Sequence, residues 1–320
     1  MMDFCVLGSG VAGSTIANTL SKKYSVHVFD KARGPGGRSS NKRLKNKLSF
    51  DHGVQYINPK TKNFRQFIQK LSKNKILKIW NGNHLDFTFE KKLLAPKYIG
   101  IKANNAISKY YLEGIKLSFA SQIIKVEYKK YFWEIMLSDN TKHQFKALIL
   151  TCPFPQIKKL ARKYLDKKVL NLKVQMQPNI TAMVAFKNQK KIPISSIKFD
   201  DEILTWAANE NSKKRFKSSL NLWTLQASLK WSKKTINKYK NDKTILNQLI
   251  ARFVQLSGLE KSKIIHKKIH GWKYSYNYKK TPLLSSWNKK NKLGICGDWF
   301  NGPKVENAWL SANDLAKKIR

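Results

Sequence analysis

A chain of 320 residues, 42% apolar and 12% aromatic with nine tryptophans, has ample material for a packed core, which excludes wholesale disorder. No apolar run reaches the roughly 18–20 residues of a membrane-spanning helix, and Cys5, Cys152 and Cys296 lie too far apart for a metal site or a disulfide framework. The net charge of +44, from 63 Lys and Arg against 19 Asp and Glu, admits a nucleic-acid binder, but the lysines are spread along nearly the whole chain and read as a solvated surface that steers anionic ligands.

Met1–Phe4 runs straight into a strand, so no signal peptide is expected. That strand, Phe4–Leu7, ends in Gly8-Ser9-Gly10-Val11-Ala12-Gly13, and Ile16, Ala17 and Leu20 continue at helical spacing. Val26–Phe29 is a second strand, closed by Asp30. Strand, glycine turn, helix, strand and acid fit within about 30 residues, as a dinucleotide-binding βαβ unit requires. Farther on, Asn63–Leu71 sets Phe64, Phe67, Ile68 and Leu71 on one helical face. Gln122–Leu137 reads as two strands about a turn near Lys129-Lys130, followed by a strand over Ala147–Leu150 and a break at Pro153 and Pro155. Ile180–Phe186 is a strand and Lys243–Leu256 a helix. Leu293–Cys296 is a late strand feeding Gly297-Asp298, and a helix begins near Val305. No internal repeat is evident.

In the glycine turn, Gly8 permits the tight bend, Gly10 a close approach of backbone to a pyrophosphate, and Gly13 close packing of helix on strand. The helix N-terminus offers free N–H groups and partial positive charge to a diphosphate, and Asp30 is placed to accept from a ribose. An ordinary glycine-bearing turn is the plain alternative. The following stretch, Lys31-Ala32-Arg33-Gly34-Pro35-Gly36-Gly37-Arg38, provides a second glycine-rich basic loop, with Arg38 as a charge-assisted donor to the diphosphate. It resembles the glycine-doublet motif of the flavin-containing amine oxidase superfamily, a pairing that points to FAD over NAD.

Beyond these motifs, the sequence resembles the bacterial renalase-type FAD oxidases over most of its length. The likeness runs through Phe50-Asp51-His52-Gly53-Val54-Gln55-Tyr56, Tyr98-Ile99-Gly100, Asn105-Ala106 and Thr151-Cys152-Pro153-Phe154-Pro155-Gln156. It continues through Leu204-Thr205-Trp206 with Asn209, Trp223 with Ser228 and Trp231, and His270-Gly271-Trp272-Lys273-Tyr274. It ends on Gly297-Asp298-Trp299, Gly302 and Val305-Glu306-Asn307-Ala308-Trp309-Leu310-Ser311. Lys304 stands where arginine is usual, and Asn307 and Ala312 where glycines are common, so Asn307 is expected to bring a side chain close to the flavin.

The resemblance implies an α/β fold. A Rossmann-type FAD-binding domain over residues 1–60, 115–165 and 290–320 would carry an inserted substrate domain, residues 61–114 and 166–289, on a mixed or antiparallel sheet with helices, as in amine oxidases and p-hydroxybenzoate hydroxylase. It implies cofactor contacts at Gly8, Gly10, Val11, Ala12, Gly13, Asp30, Lys31, Gly37, Arg38, Gln55, Tyr56, Ile123, Gly297, Asp298, Glu306, Asn307 and Ala308. The implied reaction is oxidation of dihydronicotinamide dinucleotides reduced at the wrong ring carbon, by hydride transfer to flavin N5, with oxygen going to hydrogen peroxide. Cys296 precedes Gly297-Asp298 and lies outside the covalent attachment motif of monoamine oxidases, so the FAD is expected to be noncovalent.

Hydride transfer needs placement more than acid–base help. An aromatic pocket and no catalytic triad are therefore expected, with Tyr56, Trp206, Trp223, His270, Trp272 and Tyr274 as candidates. Each has a bland alternative, because a buried Trp or Tyr is usually core and a buried His usually structural. Rival readings are an amine oxidase, a carotenoid-desaturase-like enzyme, a basic nucleic-acid binder and a noncatalytic flavin protein. The expected partners are a dinucleotide substrate and oxygen, with no metal, specific nucleic acid or membrane, and the expected compartment is the cytoplasm.

Overall fold

The opening strand, Met2–Leu7, alternates its buried side chains, Phe4 and Val6 toward one layer and Cys5 toward the other, as a strand covered on both faces must. This is seen in the computed structural model of the chain, which describes residues 1–44, 48–87, 95–188 and 192–319. The strand pairs in parallel with Val26–Phe29 on one side and Lys142–Leu150 on the other. Val26–Phe29 pairs in parallel with Lys116–Ser118. The far half of Lys142–Leu150 pairs in parallel with Leu293–Cys296, and Ser285–Asn288 closes that edge antiparallel. Its near half pairs with a meander of Phe132–Leu137 and Ile123–Lys129, turning at Lys130 with φ 46°.

One side of this sheet is covered by the helices Val11–Ser21, Lys62–Lys73 and Val305–Ile319, whose Ile16, Phe64, Ile68 and Leu315 share a core with Val6, Val28 and Ile149. Helix Lys62–Lys73, expected in the substrate domain, thus packs against the nucleotide-type sheet. On the other side, Cys5, Phe29, Leu148 and Leu150 meet Phe154, Ile157, Trp299 and Phe300. Pro153 does more than break the chain: it precedes the helix Phe154–Ala161, and Pro155 lies in the first turn, where a missing N–H costs nothing.

A second sheet runs Ile264–Tyr276, Gln177–Phe186, Asn221–Ala227, Leu204–Asn209, Ser196–Lys198 and His84–Asp86, antiparallel except for the last pair. Its register separates two faces. Ile180, Val184, Trp223 and Leu225 bury against Leu249, Ile250 and Phe253 of the helix Lys243–Ser257. Thr181 lies opposite both Gln226 and His270, and Gln226 opposite Trp206, so these four share the other face, which carries most of the sheet's polar chemistry. The α/β fold, with a Rossmann-like unit and mixed sheets, agrees with the sequence expectation.

Candidate functional site

Packing fixes the first glycine turn. An ideal Cβ on Gly13 would stand 1.9 Å from the Gly8 carbonyl oxygen, so only glycine lets the helix start this close to the strand. Thr151 supports the turn, its hydroxyl donating to the Leu7 carbonyl at 2.8 Å. Gly10 occupies the N-cap without a side-chain cap, which leaves the N–H groups of Val11 and Ala12 without that partner. Asp30 accepts from the Ser9 amide at 2.8 Å, the Ser9 hydroxyl at 2.5 Å and the Ala32 amide at 2.8 Å. The acid therefore braces the turn as well as standing beside it. Lys31 is exposed next to it, and Ile123, at the start of its strand, lies in the core with Phe29.

The second glycine loop abuts the first. Gly36 donates to the Ser9 carbonyl at 3.0 Å. Its φ of 125°, and an ideal Cβ only 2.6 Å from Asn105 Cβ, require glycine there. One residue past Gly37, Arg38 was expected to reach a diphosphate. Its guanidinium donates to Asp298 at 2.5 Å and to the Ser275 carbonyl at 2.6 Å, tying the loop to the end of the late strand. The Gly297 amide donates to Ser311 Oγ at 2.9 Å, holding that strand end to the last helix.

In that helix, Glu306 is 3% exposed and accepts from the amides of Lys60 and Thr61 at 2.9 and 2.7 Å. Its carboxylate therefore serves the entry of helix Lys62–Lys73. Asn307 turns its amide back to donate to the carbonyls of Asn301 and Gly302 at 2.9 and 3.0 Å, which braces the turn before the last helix. Ala308 and Ala312 are buried beside them. Cys296 is fully buried, and burial pushes its thiol pKa up.

Residues 51–57 tie the second glycine loop to the second sheet. The Val54 amide donates to the Arg38 carbonyl at 2.9 Å, Gln226 donates to the Gly53 carbonyl at 2.7 Å, and the Trp272 indole to the His52 carbonyl at 2.9 Å. Asn104 donates to the carbonyls of Val54 and Gln55 at 2.8 and 2.9 Å. Beneath the segment lies a buried charge network that sequence reasoning missed. Lys213, 1% exposed, pairs with Asp51 at 2.8 Å and Glu210 at 2.9 Å and reaches Gln55 Oε1 at 3.4 Å. Arg215 pairs with Asp51 at 2.5 Å and donates to Asn104 at 2.8 Å. Burial alone would raise the Asp51 pKa, but Lys213 and Arg215 outweigh it and hold the carboxyl below its usual range. Glu210 is raised by burial, with Asp51 adding to the shift. Gln55 gives its amide hydrogens to the carbonyls of Asp51 and Gly53, so its side chain also stiffens the segment.

The aromatic candidates divide between two places. Tyr56 and Trp206 sit with ring centroids 5.6 Å apart, and the buried Trp206 indole nitrogen has no hydrogen-bond partner among the described residues. His270 and Trp272 gather with His52, whose ring is 4.8 Å from His270 and 5.1 Å from Trp272. Burial, then His270, lowers the His52 pKa to about 4, and burial, then Lys42, lowers His270 to about 4. Tyr274 lies farther along the same strand under Lys273. Trp223 is not brought to this face. It is 1% exposed and packs 5.0 Å from Phe253 in the opposite core, because its strand position has the other parity. Among the described residues no cluster of His, Cys, Asp and Glu is arranged to hold a metal, and no helix is long and apolar enough to cross a membrane.

An uncapped helix start, two abutting glycine loops and an acid at the next strand end fit a bound dinucleotide. The NAD(P)-binding Rossmann-like domain family matches residues 6–71. Renalase of Mus musculus is 28% identical over 173 residues, a match that covers 48% of this chain and 48% of that protein. A protein from Exiguobacterium sp. 255-15 assigned as a protoporphyrinogen oxidase superposes with a TM-score of 0.74 at 8% identity, covering 99% of this chain and 98% of its own. A cofactor-binding redesign of putrescine oxidase superposes at 0.72 with 9% identity over the same shares. At these identities the two structures establish the common fold.

Proposed function

We propose that the chain is a FAD-dependent, renalase-like oxidoreductase of the amine oxidase superfamily that oxidises 2- or 6-dihydro isomers of NAD(P)H to NAD(P)+ with oxygen reduced to hydrogen peroxide. The observation that carries the reading is the convergence of three segments. Residues 8–13, residues 34–38 and Asp298 meet through the Gly36–Ser9 hydrogen bond and the Arg38–Asp298 ion pair. A simple NAD site needs only the first of them. The partial identity to mouse renalase supports the choice within flavin enzymes.

In this reading, the amides of Gly10, Val11, Ala12 and Gly13 hold the diphosphate of a noncovalent FAD, and Asp30 accepts from its ribose. Gly297, Asp298 and the start of the last helix take the ribityl and ring end. FAD supplies a two-electron hydride acceptor that oxygen can reoxidise. The protein supplies placement. Residues 51–57, held by Arg38 of the second glycine loop and by Gln226 and Trp272 of the second sheet, keep Tyr56 opposite Trp206. The free Trp206 indole N–H is a donor suited to a nicotinamide carboxamide. The neutral histidines His52 and His270 offer neither a strong acid nor a strong base near neutrality, in keeping with a reaction that needs neither.

Anaerobic addition of isomerised NADH to the purified protein tests this through the visible spectrum. Rapid bleaching of flavin bands by that mixture, and none by primary amines or polyamines, is the expected result. Bleaching by amines alone would transfer the protein to the amine oxidases. A chain that takes up no flavin even on reconstitution would end the proposal.

A further inference from the structure

An asparagine placed just before a helix ordinarily turns its side-chain oxygen onto that helix's own first amides. Asn105 stands at that position before the short helix Ala106–Tyr111 and makes no such cap. Its carboxamide goes to the second glycine loop, where Nδ2 donates to the Pro35 carbonyl at 3.0 Å. A carbonyl can only accept, so this bond fixes which end of the amide is nitrogen and leaves Oδ1 over. Asn105 is 6% exposed, and its Oδ1 has no hydrogen-bond partner among the described residues. A buried acceptor without a donor is unfavourable, and here it points to a ligand that supplies one.

The side chain stands beside the diphosphate cradle, with Gly36 as the link. An ideal Cβ on Gly36 would lie 2.6 Å from Asn105 Cβ, and Gly36 also pairs with Gly10 in a parallel bridge. The helices Val11–Ser21 and Ala106–Tyr111 are joined near their starts, the hydroxyls of Ser14 and Ser108 lying 3.4 Å apart. Farther along, Asn18 donates to the Tyr111 carbonyl at 3.1 Å. Gly10 and Asn105 therefore head two neighbouring helices, and both touch Gly36.

Chemistry narrows what the oxygen can take. The amides of the cradle are donors and suit phosphate oxygens. A carboxamide oxygen repels those oxygens and accepts from a hydroxyl. The second loop runs from Asp30 to Arg38, and Arg38 is paired with Asp298. Gly36 lies two residues from Arg38 and six from Asp30, which sets Asn105 toward the ring end of the cofactor and away from the adenosine ribose.

We propose that Asn105 is a further cofactor-binding residue whose Oδ1 accepts a hydrogen bond from a ribityl hydroxyl of FAD. The hydroxyl's identity rests on the flavin reading above, whereas the free acceptor beside the cradle does not.

Titration of FAD into the apoprotein, followed by flavin fluorescence, tests this beside an FAD analogue that carries a plain pentyl chain in place of ribityl. Asn105→Ala should shrink the parent's preference for FAD over the analogue roughly fivefold, the worth of one hydrogen bond. Loss of the tie to Pro35 weakens both ligands alike and drops out of the ratio. Asn105→Leu fills more of the space against Gly36, also lacks the oxygen, and should shrink the preference as far. Asn105→Asp keeps an accepting oxygen and should keep the preference, although its charge near the diphosphate weakens both ligands. An unchanged ratio in the Ala and Leu variants, or a ratio lost equally in Asn105→Asp, overturns the assignment and leaves the flavin reading intact. Parent protein that binds neither ligand ends the flavin reading and this assignment with it.

Discussion

Lys213 gives its ammonium hydrogens to Asp51, Glu210 and Gln55 while screened from water, and Trp80 lies under it at 5.1 Å. Removing one member of such a network strands the others, so Lys213→Met should destabilise the fold by about 3–5 kcal/mol. A lowered urea midpoint with unchanged slope is the expected reading. Two tryptophans make a sharper contrast. Trp223→Ala opens a hole against Phe253 and should cost about 3–5 kcal/mol in stability, seen in thermal melts, while folded protein keeps its KM. Trp206→Phe keeps most of the ring and loses the free indole N–H. Its melting point should stay near that of the parent, and KM for the nicotinamide substrate should rise severalfold, by the roughly 1 kcal/mol of one hydrogen bond. An unchanged KM would remove Trp206 from the substrate's contacts.

Helix Lys62–Lys73 enters through two devices, the Thr61 hydroxyl that accepts from the Phe64 amide and the Glu306 carboxylate that accepts from residues 60 and 61. Glu306→Ala leaves two amides without partners and should lower stability by about 1–3 kcal/mol, with faster proteolytic nicking near residues 58–61. Helices of this kind were legible in the sequence, because Phe64, Ile68 and Leu71 announce one apolar stripe. So were six of the first sheet's eight described strands, where short apolar runs stop at turn residues, while the short edge strands Lys116–Ser118 and Ser285–Asn288 gave no such run. The strand Ile264–Tyr276 was not, since its Lys and His residues hide the alternation that an edge strand carries. Trp223 was assigned to the pocket for a related reason. Parity along Asn221–Ala227 decides the face, and only the pairing with Gln177–Phe186 shows which parity points where. The Asp51–Lys213 pair spans 162 residues of sequence and left no local signal.

Across the whole molecule, the charge of +44 sets how ligands arrive. KM for an anionic substrate should rise with added salt, since screening shortens the reach of the surface potential. Stability should also depend on pH. His27, His52 and His270 each have a folded pKa near 4, below the ordinary 6.5, chiefly through burial. Between those values the unfolded chain binds protons that the folded chain refuses, so the stabilisation is complete above pH 6.5 and is lost as pH falls toward 4. Denaturation midpoints that stay level across that window would contradict the neutral histidines. The Arg38–Asp298 pair, finally, joins residues 260 positions apart, and Lys142–Leu150 waits for Leu293–Cys296 to fill its far side. A ribosome adding roughly 5–20 residues per second needs tens of seconds to cover that gap. Through that time the nascent chain displays an unfinished sheet edge, and its glycine loops lack their closing clasp. The protein is thus assembled like a locket, shut only when that late segment has been made.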